Sequence, residues 1–126
     1  MSSDSSMVIY SNFIIKIFDR NKGKVEGITM FPFIVLRKDI KGTPSAPFVI
    51  NHEKIHIAQQ GELLVIFFIL IYFFEYLKGR LKGSSPGEAY RNISFEREAY
   101  TCMYDLKYLE KRKFLAHRKM RGDRYA

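Results

Sequence analysis

The segment Asn51–Gly61, with the sequence NHEKIHIAQQG, constrains the fold more than any other stretch of the chain. It holds two of the chain's three histidines, His52 and His56, four residues apart, with Glu53 between them. A helix brings side chains with that spacing onto one face, one turn apart. Two imidazoles so placed can bind one tetrahedral Zn²⁺, and Glu53 is positioned to move the proton of a bound water. The motif therefore predicts a helix that carries part of a zinc site.

Length and composition predict one packed domain. The chain has 126 residues, of which 47% are hydrophobic, enough for a modest core. Its single cysteine, Cys102, excludes an internal disulfide framework, fits a reducing compartment and is expected to pack as a small apolar residue. Met1–Ser6 is rich in serine and has no basic residue before an apolar stretch, so we expect no cleavable secretion signal.

Two β-rich stretches precede the motif helix. Met7–Phe18 and Gly27–Leu36 are rich in β-branched and aromatic residues, and Asp19–Gly23 between them favours a turn. We predict two strands that form a hairpin, with a short helix over Met7–Phe18 as the alternative. Pro32 cannot donate a ladder hydrogen bond, which indicates an edge strand or a bulge. Lys41–Pro47 is predicted to be the loop that leads to the motif helix.

An almost unbroken apolar segment, Leu63–Leu77, follows the motif helix. Fifteen helical residues span about 22 Å, short of the ~30 Å core of a bilayer. A crossing would draw the polar end of the motif helix into lipid, which is costly. The length fits a buried core helix, a re-entrant segment or an interfacial one. We expect membrane association with the active domain on the cytoplasmic side, because three basic residues follow the segment: Lys78, Arg80 and Lys82.

The C-terminal region carries much of the chain's formal charge of +8. From Lys107 to Ala126 there are eight Lys or Arg against two acids. We divide the chain into a domain over 1–110 and a basic tail over 111–126. Positive charge attracts anionic lipid or nucleic acid, but only Phe114 and Tyr125 could stack on bases within the tail. We therefore expect lipid rather than nucleic acid as the partner of the tail.

A second helix offers a third metal ligand. Ser85–Glu88 is a capping box with proline at the first helical position, and it predicts a helix through about Tyr108. A carboxylate at Glu96 lies among apolar neighbours and needs a partner such as a metal. The third histidine, His117, lies in the basic tail and is expected to be solvated. The residues predicted to share one face of the helix are Ala89, Ile93, Glu96, Tyr100 and Met103.

The segment HEKIHIAQQ resembles the H-E-x-x-H-x-x-Q helix of the gluzincin metallopeptidases, which include small zincin-like bacterial proteins. In that family a downstream helix carries E-x-x-A-D, and its first Glu is the third zinc ligand. The E-R-E-A-Y of this chain matches it, so the resemblance implies Glu96 as the ligand beside His52 and His56, with Glu98 as the alternative. Tyr100 stands where the family has an Asp that orients a ligand histidine, so support for the site is in question.

The resemblance implies a minimal zincin-like α+β domain. It consists of a small antiparallel sheet or hairpin, the motif helix, the apolar helix and the third-ligand helix. The implied function is a membrane-associated zinc metallopeptidase in which Glu53 acts as general base and then acid on a peptide or protein substrate. Phe31–Leu36 is the predicted edge strand that pairs with extended substrate. The candidate donors to the developing oxyanion are Tyr90, Tyr100 and Tyr104.

An alternative keeps the metal without the chemistry. In that reading the chain is a catalytically silent, zinc-stabilised binding module attached to the membrane, because Tyr100 replaces the expected Asp. Zinc content is the same in both readings, whereas loss of hydrolysis in Glu53→Gln distinguishes them. The sequence does not determine the substrate, the oligomeric state or the roles of Gln59 and Gln60.

Overall fold

A computed structural model of the chain describes residues 8–18 and 25–121. Over those residues the fold is mixed α+β, as predicted, with a small three-stranded sheet beside six α-helices. Two short 3-10 helices, Lys38–Ile40 and Ala116–Met120, complete it. In chain order the strands and α-helices are β1 (Val8–Tyr10), α1 (Asn12–Phe18), β2 (Gly27–Met30), β3 (Phe33–Leu36), α2 (Ala46–Glu62), α3 (Leu64–Leu81), α4 (Pro86–Arg91), α5 (Ser94–Cys102) and α6 (Tyr108–Lys111).

The predicted hairpin between Met7–Phe18 and Gly27–Leu36 is wrong. The second stretch itself forms the hairpin, since β2 and β3 pair antiparallel on either side of Phe31 and Pro32. Pro32 lies in the turn, where its missing N–H interrupts no ladder. The first stretch divides into β1 and α1, so each of the two readings holds for part of it. Met7 and the predicted turn Asp19–Gly23 lie outside the described residues.

The order of the strands corrects the predicted edge. β3 is central, parallel to β1 and antiparallel to β2, so Phe31–Leu36 is not an edge strand. The edge beside the motif helix is β2. Burial explains the position of β3, since Ile34, Val35 and Leu36 are at most 1% exposed and pack on both faces of the sheet.

The motif helix α2 begins at Ala46, earlier than predicted, with Pro47 in its first turn. It ends at Glu62, where the axis turns by 111° into α3. Leu64 at this corner has a φ of +51°, a left-handed conformation that few L-residues adopt. The corner directs α2 across the sheet and α3 along the helical side of the fold.

Helix α3 is not a buried core helix. Phe68 is its one buried residue, and the other inward positions are half-buried. Apolar side chains recur every three to four residues on the outward face with 43–64% of their surface exposed: Ile66, Phe67, Ile69, Leu70, Phe73, Phe74 and Leu77. Among the described residues, no helix is long and apolar enough to cross a bilayer by itself. Together, α2 and α3 pass that test of length and hydropathy, across their bend.

The predicted single helix from Ser85 to about Tyr108 is divided in the structure. The capping box forms as expected, with Ser85 Oγ accepting from the Glu88 N–H and the Glu88 carboxylate accepting from the Ser85 N–H. α4 ends at Arg91, and α5 begins at Ser94 after a break of two residues. The Glu75 carboxylate of α3 accepts hydrogen bonds from the Ser94 N–H and hydroxyl, which fixes the start of α5.

The prediction that His117 is solvated is wrong. Residues Ala116–Met120 fold back on α5, and His117 is 1% exposed. Its ring packs on Phe95 with 4.4 Å between centroids. Burial, with Arg121 nearby, lowers the pKa of His117 to about 4, so the imidazole is neutral at pH 7.

Over the described residues, two small clusters of buried apolar side chains form the centres of the core. One joins the sheet to the first turns of α2, and the other joins α3 to α5. α2 runs from the first cluster, at Val49, to the second, at Leu63. Its histidines lie between these two ends, so the polar motif occupies the middle of the molecule.

Candidate metal centre

Three predicted ligands converge at the middle of α2. His52 and His56 face α5, and Glu96 in the first turn of α5 faces them. Glu96 Oε1 lies 3.4 Å from His52 Nε2 and 3.2 Å from His56 Nε2. All three residues are at most 6% exposed, and one donor atom from each lies within 4.8 Å of the others. The group could hold a metal ion.

The donor set and its spacing fit zinc. Imidazole nitrogen and carboxylate oxygen bind Zn²⁺ at about 2.0–2.2 Å, so two ligand atoms of a tetrahedral ion lie ~3.3 Å apart. The two distances from Glu96 Oε1 agree with that value. Three protein ligands leave a four-coordinate ion one further position, as in catalytic rather than structural sites.

The electrostatics of the group favour a charged carboxylate. Burial lowers the pKa of His56, but the Glu96 carboxylate beside it outweighs burial and raises that pKa to about 9. Burial raises the pKa of Glu96, yet the two histidines more than compensate and hold it well below its usual range. Glu96 is therefore ionised at neutral pH, as a metal ligand requires.

Gln59 fixes the orientation of His56. Its amide nitrogen donates to Phe95 O at 3.1 Å and to Glu98 Oε1 at 2.9 Å, so its Oε1 faces His56. That oxygen lies 2.7 Å from His56 Nδ1 and accepts its proton in a hydrogen bond. When a metal binds, the proton that leaves is therefore the one on Nε2, and Nε2 becomes the ligand atom. Gln59 thus supplies the orienting acceptor that the sequence left in doubt at position 100.

Glu98, the alternative ligand, has a different role. Its carboxylate is fully buried and accepts hydrogen bonds from Gln59, from Tyr108 at 2.6 Å and from the Arg112 guanidinium. Burial raises the pKa of Glu98, but the bond from Arg112 outweighs it and lowers the pKa. Arg112 also makes two bonds to Glu62 at the end of α2. A buried ion network therefore ties α2, α5 and residue 112 together behind Gln59.

Tyr72 is a contact that the sequence reading missed. Its hydroxyl donates to Glu96 Oε2 at 2.7 Å, so the second carboxylate oxygen is held while Oε1 faces the histidines. The sequence reading counted Tyr72 as one more apolar residue of Leu63–Leu77. No sequence signal separates Tyr72 from its apolar neighbours, because the inward face that it shares with Phe68 is visible only once α3 is packed on the fold.

Tyr100 does not replace the missing Asp. Its ring stands edge-on to His52 with 4.5 Å between centroids, and its hydroxyl lies 3.1 Å from that of Tyr90. His52 Nδ1 is buried and has no hydrogen-bond partner within residues 8–18 and 25–121. The two histidines therefore differ on the Nδ1 side, where Gln59 holds His56 by a hydrogen bond and the ring of Tyr100 packs against His52.

Glu53 lies beside the ligands but faces the sheet. Thr29 of β2 donates to Glu53 Oε1 at 2.7 Å and lies 3.2 Å from the Glu53 carbonyl oxygen. Both contacts join the edge strand to the motif helix at the residue predicted to move protons. A neutral hydroxyl donor therefore holds the carboxylate in one place.

A cavity of about 590 Å³ opens at the ligands. Five consecutive residues, Val25–Thr29, line one side of it. Successive strand residues point to opposite faces, so a cavity that touches all five lies along the edge of β2. Tyr90 and Tyr100 line the opposite side, whereas Tyr104, the third predicted donor, is 68% exposed and packs on Phe48.

Comparisons with protein-family models, with curated proteins and with solved structures gave no match.

Proposed function

We propose that this protein is a membrane-associated, zinc-dependent metallopeptidase with a minimal zincin-like fold. The observation that carries the proposal is the convergence of His52, His56 and Glu96 with Glu53 one residue from the first ligand. That arrangement joins a three-ligand metal group to a carboxylate on the same helix. The HExxH spacing and the E-R-E-A match support the same conclusion.

The residues divide the chemistry among them. When bound, Zn²⁺ would supply Lewis-acid polarisation of the scissile carbonyl and a water of lowered pKa. Glu53 takes the proton of the attacking water and later delivers it to the leaving amine. Thr29 holds the Glu53 carboxylate in position. Tyr90 and Tyr100 line the cavity with hydroxyls that can donate to the developing oxyanion.

The edge of β2 is the proposed binding surface for substrate backbone. It replaces Phe31–Leu36 in that role, because β2 is the terminal strand and borders the cavity. An extended peptide can add to such an edge through main-chain hydrogen bonds, with its side chains in alternate pockets. Thr29 and Glu53 lie on that path, so the added strand passes the catalytic carboxylate.

Membrane association is the second part of the proposal. The outward face of α3 exposes apolar side chains over a helix of about 27 Å, which is the pattern of an interfacial helix. Lys78 and Arg80 at its C-terminal end suit anionic head groups on a cytoplasmic surface. We expect the protein in the membrane fraction after a high-salt wash, because burial of apolar surface is not screened by salt.

The decisive variants for membrane binding are on the outward face. A triple variant should be released from membranes if it carries Phe67→Ser, Leu70→Ser and Phe74→Ser, since all three side chains are more than half exposed. Phe68→Ser is unsuitable, because Phe68 is buried against Phe95 beside the metal group. Unchanged sedimentation of the triple variant would contradict the proposal.

Hydrolysis is tested by Glu53→Gln. We expect about one zinc per chain in both the wild type and the variant, with a fall in peptide cleavage of ~10²–10⁴-fold in the variant. The probe is a pool of quenched fluorescent peptides, and His52→Ala is the control that loses zinc and activity together. Equal cleavage by the wild type and Glu53→Gln would refute the assigned role.

A second candidate function is a catalytically silent zinc module. The observation that favours it is His52 Nδ1, which has no hydrogen-bond partner among the described residues and so lacks the bond that usually orients a ligand imidazole. In that case the wild type binds zinc but cleaves none of the peptides.

A further inference from the structure

We infer that the substrates are polypeptides anchored in a bilayer and are cut within a few residues of its surface. The inference rests on the proposed peptidase function and adds the substrate class. Its basis is the short path from Glu53, along the edge of β2, to an exposed apolar surface.

Strand β2 leads directly from the catalytic carboxylate to that surface. Thr29 contacts Glu53, and the next two residues, Met30 and Phe31, are 44% and 45% exposed. At ~3.4 Å per residue, the path from Thr29 to Phe31 is about 7 Å. A peptide paired with this edge therefore has one end at exposed apolar side chains while its middle passes Glu53.

We name as the docking surface the exposed apolar side chains around the turn after β2 together with those on the outward face of α3. A Cβ placed on Gly61 would lie 3.8 Å from the Phe31 ring, so the turn rests on the last residues of α2. Leu64, 68% exposed, starts α3 three residues later. The docking surface comprises Phe31 of the turn, Phe33 at the start of β3, Leu64, and the outward residues of α3 from Ile66 to Leu77.

The occupant that fits the docking surface is an anionic bilayer. The chain carries a formal charge of +8, and Lys78, Arg80 and Lys82 are exposed where the apolar face of α3 ends. Each basic residue near an anionic surface contributes ~1 kcal/mol of attraction. Apolar side chains beside exposed cations match the acyl chains and head groups of such a bilayer.

The opposite face of α3 shows how close the site lies to the docking surface. Phe68 and Tyr72 on the inward face line the cavity, and Tyr72 bonds to Glu96. One helix, ~10 Å across with its side chains, therefore separates the metal group from the docking surface. The length of the path along β2 and the thickness of α3 are two measures of the distance between the site and the docking surface, and they agree. The scissile bond therefore lies about 7–10 Å from the lipid.

The short distance between the scissile bond and the lipid favours substrates that are anchored in the bilayer. A segment that leaves the bilayer in an extended form reaches the site after about two or three residues. Its anchor also holds it at a high effective concentration beside the protein, an advantage that a free peptide lacks. The substrate class is thus the juxtamembrane segment of a membrane-anchored polypeptide.

The test uses reporters that differ only in their anchor and spacer. Each has a randomised ten-residue window, either free or joined to a Leu-Ala transmembrane helix at one end or the other, in vesicles of phosphatidylglycerol and phosphatidylcholine. Gly-Ser spacers of 0, 4 and 12 residues separate window and anchor. We expect anchored windows without a spacer to be cut at least tenfold faster than free ones, with the 12-residue spacer removing most of the gain.

A variant of the docking surface is the matched control. The triple variant Phe67→Ser, Leu70→Ser and Phe74→Ser should reduce cleavage of anchored reporters towards that of free ones. Zinc content and cleavage of free peptide should be unchanged, because all three side chains lie on the outward face of α3. Equal cleavage rates for free and anchored windows would overturn the inference while leaving the proposed peptidase function in place. So would equal rates for anchored windows with the 12-residue spacer and without a spacer. So would a stable dimer that covers α3 and keeps the protein off vesicles. Cleavage of no reporter by the zinc-loaded protein would instead refute the proposed function, and the inference with it.

Discussion

Replacing Arg112 with Met should destabilise the protein far more than replacing its neighbour Lys111. The Arg112 side chain is 4% exposed and pairs with Glu98, which is 0% exposed, and with Glu62. Without the guanidinium, Glu98 is a buried charge without its cationic partner. Breaking a buried pair in this way costs ~3–5 kcal/mol, a large share of the ~5–15 kcal/mol that keeps a domain folded.

Lys111→Met is the matched control, because it removes one positive charge at the adjacent position. Lys111 pairs with Asp105 at 2.7 Å, but the two side chains are 67% and 43% exposed. Water and salt screen such a pair, so no measurable change in stability is expected. The assay is urea unfolding in a mild non-ionic detergent at saturating zinc, followed by far-ultraviolet circular dichroism.

A double variant separates the charge effect from lost packing. Adding Glu98→Gln to Arg112→Met removes the unpaired carboxylate and should restore part of the stability. The same network supports Gln59 and, through it, His56, so Arg112→Met should also weaken zinc binding by ~10–100-fold. Equal losses at positions 111 and 112, with no recovery in the double variant, would refute the reasoning.

Three further predictions concern other parts of the fold. Glu96→Gln should lose most of its zinc in competition with a chromophoric chelator. Glu98→Gln should weaken zinc binding only ~10–100-fold, because Glu98 acts through Gln59. The reverse order of the two variants would make Glu98 the ligand. Since His117 takes up a proton at about pH 4 in the folded chain and near pH 6.5 when unfolded, stability should fall by up to ~1.4 kcal/mol per pH unit as the pH drops from 6.5 to 4. His117→Gln should flatten that part of the urea-unfolding profile, and an unchanged slope would show that other groups cause it. Gly87→Ala should raise the midpoint of thermal unfolding, since no atom of the described residues lies within 4 Å of the added Cβ. Gly79→Ala should not raise it, because the added Cβ would lie 3.1 Å from that of Ala89. An equal gain at both positions would contradict the tight packing of α3 on α4.

The metal group was predictable because its information is local. The four-residue spacing of His52 and His56 specifies a shared helical face whatever the rest of the fold does. Glu96 followed from the E-R-E-A match, and its burial between the histidines agrees with that prediction. Binding of a metal by this group and the identity of that metal as zinc both stay predictions.

The contacts that the sequence did not predict depend on distant partners. The pairing of β1 with β3 is parallel and non-local, so no tight turn between the two strands could indicate it in the sequence. The basic residues around His117 indicated a solvated tail, whereas the burial of that ring depends on Phe95. Tyr72 read as apolar within its own stretch, and only the packing of α3 on α5 shows its hydroxyl at Glu96.

The position of the metal group between two small apolar clusters links occupancy to folding. Neither cluster is large, and the helices that meet at the group, α2 and α5, belong to different clusters. An ion held there would join the two clusters. Because it would bind the folded chain and not the unfolded one, binding would shift the folding equilibrium towards the folded form. At a free zinc concentration a hundredfold above Kd, that gain is ~2.7 kcal/mol. The supply of free metal would then set how much of this protein exists in folded form, as well as how much of it is loaded.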